Sequence, residues 1–175
     1  MKTIGLTGTN GSGKGAAAKY FISKGYAFYS LSDVIREELK KDGVEPTRDN
    51  LIRKGNELRA AGGADFLARQ VMEKVEDKAV IDSIRNPEEV RFLKSKINFI
   101  LLAIDADVGL RYERVKKRGR NESAATLQEF IEKENEENTT NPMQQQLHTC
   151  LEMADFTVLN EGSLEDLYHK LEKFL

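Results

Sequence analysis

Short apolar runs and longer stretches of helical periodicity alternate along the chain. Runs at Lys2–Leu6, Tyr26–Tyr29, Ala79–Asp82, Phe99–Ile104 and Phe156–Leu159 have strand length, and the segments between them read as helices. That alternation predicts parallel βαβ units in a three-layer α/β sandwich. The first helix is predicted from the loop after the first strand to about Ser23, where Lys24-Gly25 stops it. A second helix follows Ser32. Thr47, after Pro46, opens a third through about Ala61, and Gly62-Gly63 ends it before a fourth, about Asp65 to Glu76. Both lie between the second and third strands.

Further along, Asn86-Pro87-Glu88-Glu89 is a compact helix start, with Asn86 as cap, Pro87 in the first turn and Glu89 able to reach back. Asp107 begins a helix through Arg118 that Gly119 stops. Helical stretches follow near Leu127–Glu137 and Met143–Met153, the second opened by Asn141-Pro142. Ser163 and Asp166 open the last helix, which is predicted to pack Leu164, Leu167, Leu171 and Phe174 on the sheet. The Glu- and Asn-rich stretch Glu132–Thr140 reads as a solvated helix end and loop. No internal repeat is evident.

Composition narrows the picture. A chain of 175 residues, 39% hydrophobic, suffices for one α/β domain with its own core. The 27 basic and 29 acidic side chains nearly cancel, so no global field draws the chain to DNA or an anionic membrane, and no DNA partner is expected. No apolar run approaches a membrane span, no signal-peptide pattern precedes the first strand, and Cys150 is the single cysteine. A reducing cytoplasm is the expected setting. Neither His148 nor His169 has a spacing that suggests a nucleophile at Cys150, which reads as a small half-buried helix residue.

Chemistry enters directly after the first strand. Gly8-Thr9-Asn10-Gly11-Ser12-Gly13-Lys14 fits G-x-x-x-x-G-K, and it sits between a strand and a helix as a phosphate-binding loop must. Glycines let backbone N–H groups turn toward phosphate oxygens, the helix adds its positive end, and Lys14 supplies a cation. The Ser or Thr that usually follows the lysine, and whose hydroxyl touches Mg2+, is replaced by Gly15, with Ala16 next. Metal coordination through water follows from that replacement.

In an open parallel sheet, ligands gather beyond the carboxyl ends of the strands. After the second strand, Asp33 and Arg36 are one helical turn apart; they either hold an acceptor phosphate or merely start a helix and meet solvent. After the third, Asp82 is placed to hold Mg2+ through water and Arg85 to bind phosphate. After the fourth, a helix carries Arg111, Arg114, Lys116, Lys117 and Arg118, with Arg120 just beyond. Like charges at i, i+4 cost roughly 0.2–0.5 kcal/mol per pair unless an anion such as triphosphate compensates, though cations also suit a helix C-terminus.

Taken together, the loop Gly8–Gly15, the Asp33-x-x-Arg36 element, the Asp82 and Arg85 pair and the Arg114-x-x-x-Arg118 helix resemble the nucleoside monophosphate kinase group over nearly the whole chain. The Gly-Lys-Gly ending is similar to adenylate kinase, although Ala16 stands where a threonine is usual. Adenylate-kinase-related and dephospho-coenzyme-A-kinase-like proteins of archaeal type resemble it best, down to the tail Ala154–Ser163.

The resemblance implies a P-loop NTPase fold with a five-stranded parallel sheet in order 2-3-1-4-5. It implies one kinase domain over 1–175, with helical insertions for the acceptor (about 32–76) and the lid (about 119–153). ATP with Mg2+ would sit on Gly8 to Ala16, with Arg114 stacked on adenine, Gly162 touching the base, and Arg118 and Arg120 closing over the phosphates. Asp33, Arg36, Arg59 and Arg85 would hold the acceptor, with Arg48 and Arg53 as extra contacts. The activity implied is phosphoryl transfer from ATP to a small phosphorylated acceptor, a nucleoside or deoxynucleoside monophosphate, with dephospho-coenzyme A as an alternative acceptor. A slow ATPase switch with a protein or RNA partner is the reading from another class.

Overall fold

The computed structural model describes residues 2–96, 98–119 and 124–175. Five parallel strands form one sheet in the order β2-β3-β1-β4-β5. They are β1 (Thr3–Thr7), β2 (Ala27–Ser30), β3 (Ala79–Asp82), β4 (Phe99–Asp105) and β5 (Phe156–Leu159). The three inner strands are continuous apolar runs because helices cover both of their faces, while edge strands β2 and β5 leave Phe28, Phe156 and Leu159 exposed. Thr3 pairs with Ala79 on one side and Phe99 on the other, so the strand ends that follow β1, β3 and β4 open on one edge.

The helices between the strands are α1 (Lys14–Ser23), α2 (Leu31–Lys41), α3 (Arg48–Gly62), α4 (Phe66–Met72) and α5 (Pro87–Lys96). Beyond β4 come α6 (Val108–Lys117), α7 (Leu127–Glu136), α8 (Leu147–Glu152) and α9 (Leu164–Glu172). One face of the sheet packs Ile4, Leu6 and Leu102 against Phe21 of α1 and Leu167 and Leu171 of α9. The opposite face packs Ile81 and Leu101 against Leu31, Leu67, Leu93 and Cys150. A small third cluster of Tyr112, Val115, Ala124 and Phe130 ties α6 to α7. Full burial of a residue of this size contributes about 1.5–3 kcal/mol, and the two large clusters hold the loops at the sheet edge in place.

The caps form as the residue types dictate. Thr47 Oγ1 accepts from the N–H of Asn50 at 3.3 Å, and Asp107 Oδ1 accepts from those of Gly109 and Leu110 at 2.9 and 3.2 Å. Ser163 and Asp166 complete a reciprocal capping box on α9.

Three elements differ from their sequence expectation. The fourth helix ends at Met72 rather than near Glu76. The helix expected from Met143 begins only at Leu147. Asn141-Pro142 makes a turn instead, in which Asn86 Nδ2 donates to the carbonyls of Pro142 and Gln144, both at 2.8 Å, and takes acceptors that an earlier helix would use. Leu164 is 51% exposed rather than packed on the sheet, because it lies in the first turn of α9 beyond the end of β5. Among the described residues no helix is long and apolar enough to cross a membrane.

Candidate active site

The turn Gly8–Gly13 leaves β1 and enters α1 at Lys14. A side chain at Gly8 would collide with the carbonyl of Ile104, and one at Gly13, whose φ is 103°, with the amide of Asn160. The closeness is structural in origin: Asn160 Nδ2 donates to the carbonyl of Ser12 at 2.8 Å and ties the loop to the end of β5. Thr9 Oγ1 donates to Asp105 Oδ1 at 2.9 Å and ties it to β4. Asn10 Nδ2 and Ser12 Oγ are buried without a hydrogen-bond partner.

Lys14 Nζ donates to the loop's own carbonyls of Gly8 at 2.6 Å and Thr9 at 3.0 Å. Burial lowers its pKa from 10.5 to about 8; Asp82 and Glu137 pull it upward, while Arg85 and Arg111 push it down. The ammonium is therefore held where carbonyl dipoles and carboxylates converge.

A cleft of about 560 Å3 opens over this loop. Asn10, Gly11, Gly13, Lys14, Gly15 and Ala16 form one wall; Asp82, Ser83, Arg85 and Arg118 stand across it, and Leu164 and Tyr168 line its outer end. Asp82 Oδ1 is buried and unpartnered, so the carboxylate has an open position for a cation or a water. Gly15 has open space around its α-carbon and carries no hydroxyl. Among the described residues no three His, Cys, Asp or Glu side chains converge on a metal site.

The arginines of α6 divide. Arg118 faces the cleft. Arg114 donates to the carbonyl of Asn160 at 2.8 Å and approaches that of Gly11 at 3.5 Å, between the phosphate loop and the loop after β5. Arg111 is buried, donates to the carbonyls of Ala106 at 2.9 Å and Asn10 at 3.2 Å, and pairs with Glu134. Gly162 lies against the Asp166 carboxylate, where its bare α-carbon makes room for the capping box. Arg120 lies outside the described residues.

A second cleft of about 150 Å3 adjoins the first, and Asn10, Ser83 and Arg85 line both. Arg36, Arg48, Arg59, Glu137 and Gln145 line only the second, with Ile35, Leu51 and Ile52 as its apolar wall. Arg36 is held by Ser32 Oγ at 2.6 Å and Asp33 Oδ1 at 2.9 Å. Asp33 itself lines a separate depression with Tyr29 and Lys74, and meets the cleft through Arg36 alone. Arg53 is exposed and pairs with Glu57 at 3.0 Å, apart from the cleft.

Arg59 is more deeply built in than its spacing suggested. It is 1% exposed, its Nη2 lies 2.7 Å from Glu89 Oε1, and Glu89 is wholly buried. Glu89 Oε2 also accepts from the backbone N–H groups of Arg85 and Asn86 at 2.9 and 3.0 Å. The pair thus shapes the loop after β3, while Arg59 Nη1 is buried without a partner in a residue that lines the cleft.

The stretch Glu132–Thr140 is the mostly exposed helix end and loop expected of it, with one exception. Glu137 is 2% exposed and pairs with both Arg48 and Arg85. Burial opposes ionisation of its carboxyl, but Arg85, Arg48 and Lys14 outweigh that and hold its pKa below the ordinary 4.5. Glu134, on the same helical turn, reaches Arg111. A run of polar residues gave no sign of this, because its partners lie far away in sequence.

Sequence reasoning also passed over a hydroxyl cluster between the two clefts. Ser30 Oγ lies 2.9 Å from Ser32 Oγ and donates to Ser83 Oγ at 3.2 Å, and Ser83 holds a φ of 66°, a strained value for a residue with a side chain. Its position directly after the Asp82 strand end was the available signal. Cys150 is fully buried, and burial, reinforced by Glu89, pushes its thiol pKa far upward, which leaves no thiolate for chemistry.

Comparison with known proteins agrees with this architecture. A family model described as an AAA domain matches residues 4–142. The whole chain is 33% identical to the UPF0200 protein of Methanocaldococcus jannaschii, covering 89% of it, and 31% identical to that of Sulfurisphaera tokodaii, covering 96%. The chain belongs to the UPF0200 family. This UPF0200 chain is also 34% identical to the UPF0200/UPF0201 protein of Archaeoglobus fulgidus, of which it spans 55%. Its fold is shared with TT1252 of Thermus thermophilus (TM-score 0.63, 23% identity, 98% of this chain and 95% of that one). It is shared too with shikimate kinase of Aquifex aeolicus (TM-score 0.57, 18% identity, 97% and 92%). The UPF0200 chain therefore has a P-loop kinase-like fold.

Proposed function

We propose that this protein transfers the γ-phosphoryl group of MgATP to a small phosphorylated acceptor, a nucleoside or deoxynucleoside monophosphate. The observation that carries the reading is the meeting of two clefts. One lies on the phosphate loop, the other is lined by Arg36, Arg48, Arg59 and Arg85, and both open on Asn10, Ser83 and Arg85. Two anionic ligands facing each other need such an arrangement; a single nucleotide does not.

In this reading the backbone N–H groups of Gly8 to Gly15 and Ala16 hold the ATP phosphates, and Lys14 leaves the carbonyls of Gly8 and Thr9 for the outer phosphates. Leu164 and Tyr168 offer the base an apolar surface. Arg114, held by the carbonyls of Gly11 and Asn160, and Gly162, against Asp166, do not line the cleft and would meet the base only by moving. Asp82 would hold hydrated Mg2+, which would supply charge neutralisation to the phosphates. The acceptor phosphate is held by Arg36 and the free nitrogen of Arg59, with Asp33 bracing Arg36.

An acceptor oxygen forms the new bond to the γ-phosphorus as the bond to the β,γ-bridging oxygen breaks, and ADP leaves with the electron pair. Arg85 lines both clefts and, with Arg118, neutralises the charge that spreads over the moving group. An acceptor phosphate is already a nucleophile near pH 7, so positioning carries the catalysis.

A second reading rests on Gly15 and Ala16. Without a hydroxyl on the metal the chemistry weakens, which favours a slow ATPase that switches a protein or RNA partner. ADP release from MgATP, measured with and without each of a panel of ribo- and deoxynucleoside monophosphates and dephospho-coenzyme A, separates the two. Stimulation by one acceptor supports the kinase. Slow release that no acceptor changes supports the switch.

A further inference from the structure

We propose that Glu137 is a positioning residue for the acceptor, which bridges Arg48 and Arg85 across the second cleft and leaves their remaining N–H groups aimed into it. The inference rests on the reading of that cleft as the acceptor site. Glu137 Oε1 takes Arg48 Nη2 and Oε2 takes Arg85 Nη1, so each carboxylate oxygen fixes one guanidinium. The two arginines come from different walls: Arg48 opens α3, and Arg85 follows β3. Arg48 Nη1 is buried without a partner and, like Arg59 Nη1, belongs to a residue that lines the cleft. Buried guanidinium nitrogens left open beside an ion pair of their own ask for a further anion.

A purely structural role explains the carboxylate poorly. Taking a carboxylate and two arginines out of water seldom adds stability over an apolar replacement. What the bridge supplies is direction. Glu137 is itself held by the element it orients: Gln146 N donates to the Arg85 carbonyl at 2.8 Å, Leu147 N donates to the Glu137 carbonyl at 3.4 Å, and Gln145 Oε1 accepts from Arg85 Nη1 at 3.4 Å. Asn86 locks the intervening turn through Pro142 and Gln144. The segment after α7 is therefore a strap on the acceptor side, and Glu137 is its contact with the cleft.

The isosteric variant Glu137→Gln, with Arg48→Gln and the double variant, tests this by two readouts. Phenylglyoxal modification mapped by mass spectrometry should speed up at Arg48 and Arg85 in Glu137→Gln by about fivefold or more and stay level at Arg85 in Arg48→Gln, where Oε2 still holds it, with Arg111 and Arg59 unchanged. With the acceptor that stimulates the wild type, KM for the acceptor should rise about tenfold in each single variant and no further in the double, while KM for MgATP stays within about twofold. If Glu137→Gln does not fold, Glu137→Asp, whose shorter side chain cannot reach both guanidinium groups, carries both measurements. Unchanged modification rates in the Glu137 variant overturn the proposal. So does an acceptor KM that stays level or falls, since a fall would make Glu137 a competitor of the acceptor. If no acceptor stimulates the wild type, the phosphoryl-transfer reading fails, and the modification rates alone decide the positioning role.

Discussion

The Nζ of Lys14 donates to the carbonyl oxygen of Gly8 at 2.6 Å, so the cation of the phosphate loop is turned back on the loop that carries it. Burial has already lowered its pKa to about 8, so in the unliganded protein it becomes neutral above that pH. Phosphate oxygens favour the ammonium. ATP binding should therefore take up a proton between about pH 8 and the ordinary 10.5, and affinity should fall as pH rises through that window, by up to about tenfold per pH unit. Titration calorimetry in buffers of different ionisation enthalpy measures the uptake directly. Lys14→Ala should lose both ATP affinity and the pH dependence; near-normal binding in that variant would refute the loop assignment.

Arg36 lines the second cleft and is the proposed clamp on the acceptor. It is half exposed and leans on Asp33 and Ser32, so Arg36→Ala should leave the fold intact. A hydrogen bond to a charged group is worth about 1.5–3 kcal/mol, so acceptor KM should rise about tenfold or more while MgATP affinity changes little. Steady-state kinetics with each substrate varied in turn gives the split, and equal losses for both would count against separate clefts.

Arg59 and Glu89 make a different demand. Removing one member of a buried pair costs about 3–5 kcal/mol, and Glu89→Ala also strips the acceptor from the N–H groups of Arg85 and Asn86. Urea denaturation should show a loss of that size. The double variant with Arg59→Ala should lose less than the sum of the two single variants.

Gly15 offers a gain. A Cβ there meets nothing within 4 Å, so Gly15→Ser should fold normally and place a hydroxyl where Mg2+ would bind. Its affinity for MgATP should exceed that of the wild type several-fold, with metal-free ATP binding unchanged. Equal gains with and without Mg2+ would mean that the hydroxyl does not reach the metal.

Glu137 sets an acid limit. Its carboxyl is held below the ordinary 4.5, so its contribution is present above that pH and is lost as pH falls through the lowered value. The difference in stability between wild type and Glu137→Gln should therefore persist at neutral pH and vanish on acidification.

Much of the frame was readable because its signals are local. Each strand is an apolar run, and Thr47, Asp107 and Ser163 cap their helices through N–H groups only two or three residues away. The phosphate loop, Asp82 and Arg36 follow from strand ends in the same way. Glu137 did not, because Arg48 and Arg85 lie 89 and 52 residues before it, and nothing in a polar stretch distinguishes a buried carboxylate from a solvated one. Leu164 failed for a related reason: periodicity gives the face of a helix, not where the sheet beneath it ends.

The central claim is transfer, not hydrolysis. The most direct measurement follows the label of γ-32P-ATP in the presence of Mg2+ and the acceptor panel, with products separated by chromatography. The account predicts label on one class of small phosphorylated acceptor, lost in Lys14→Ala and reduced in Arg36→Ala. Label recovered only as inorganic phosphate, whatever acceptor is present, would contradict it.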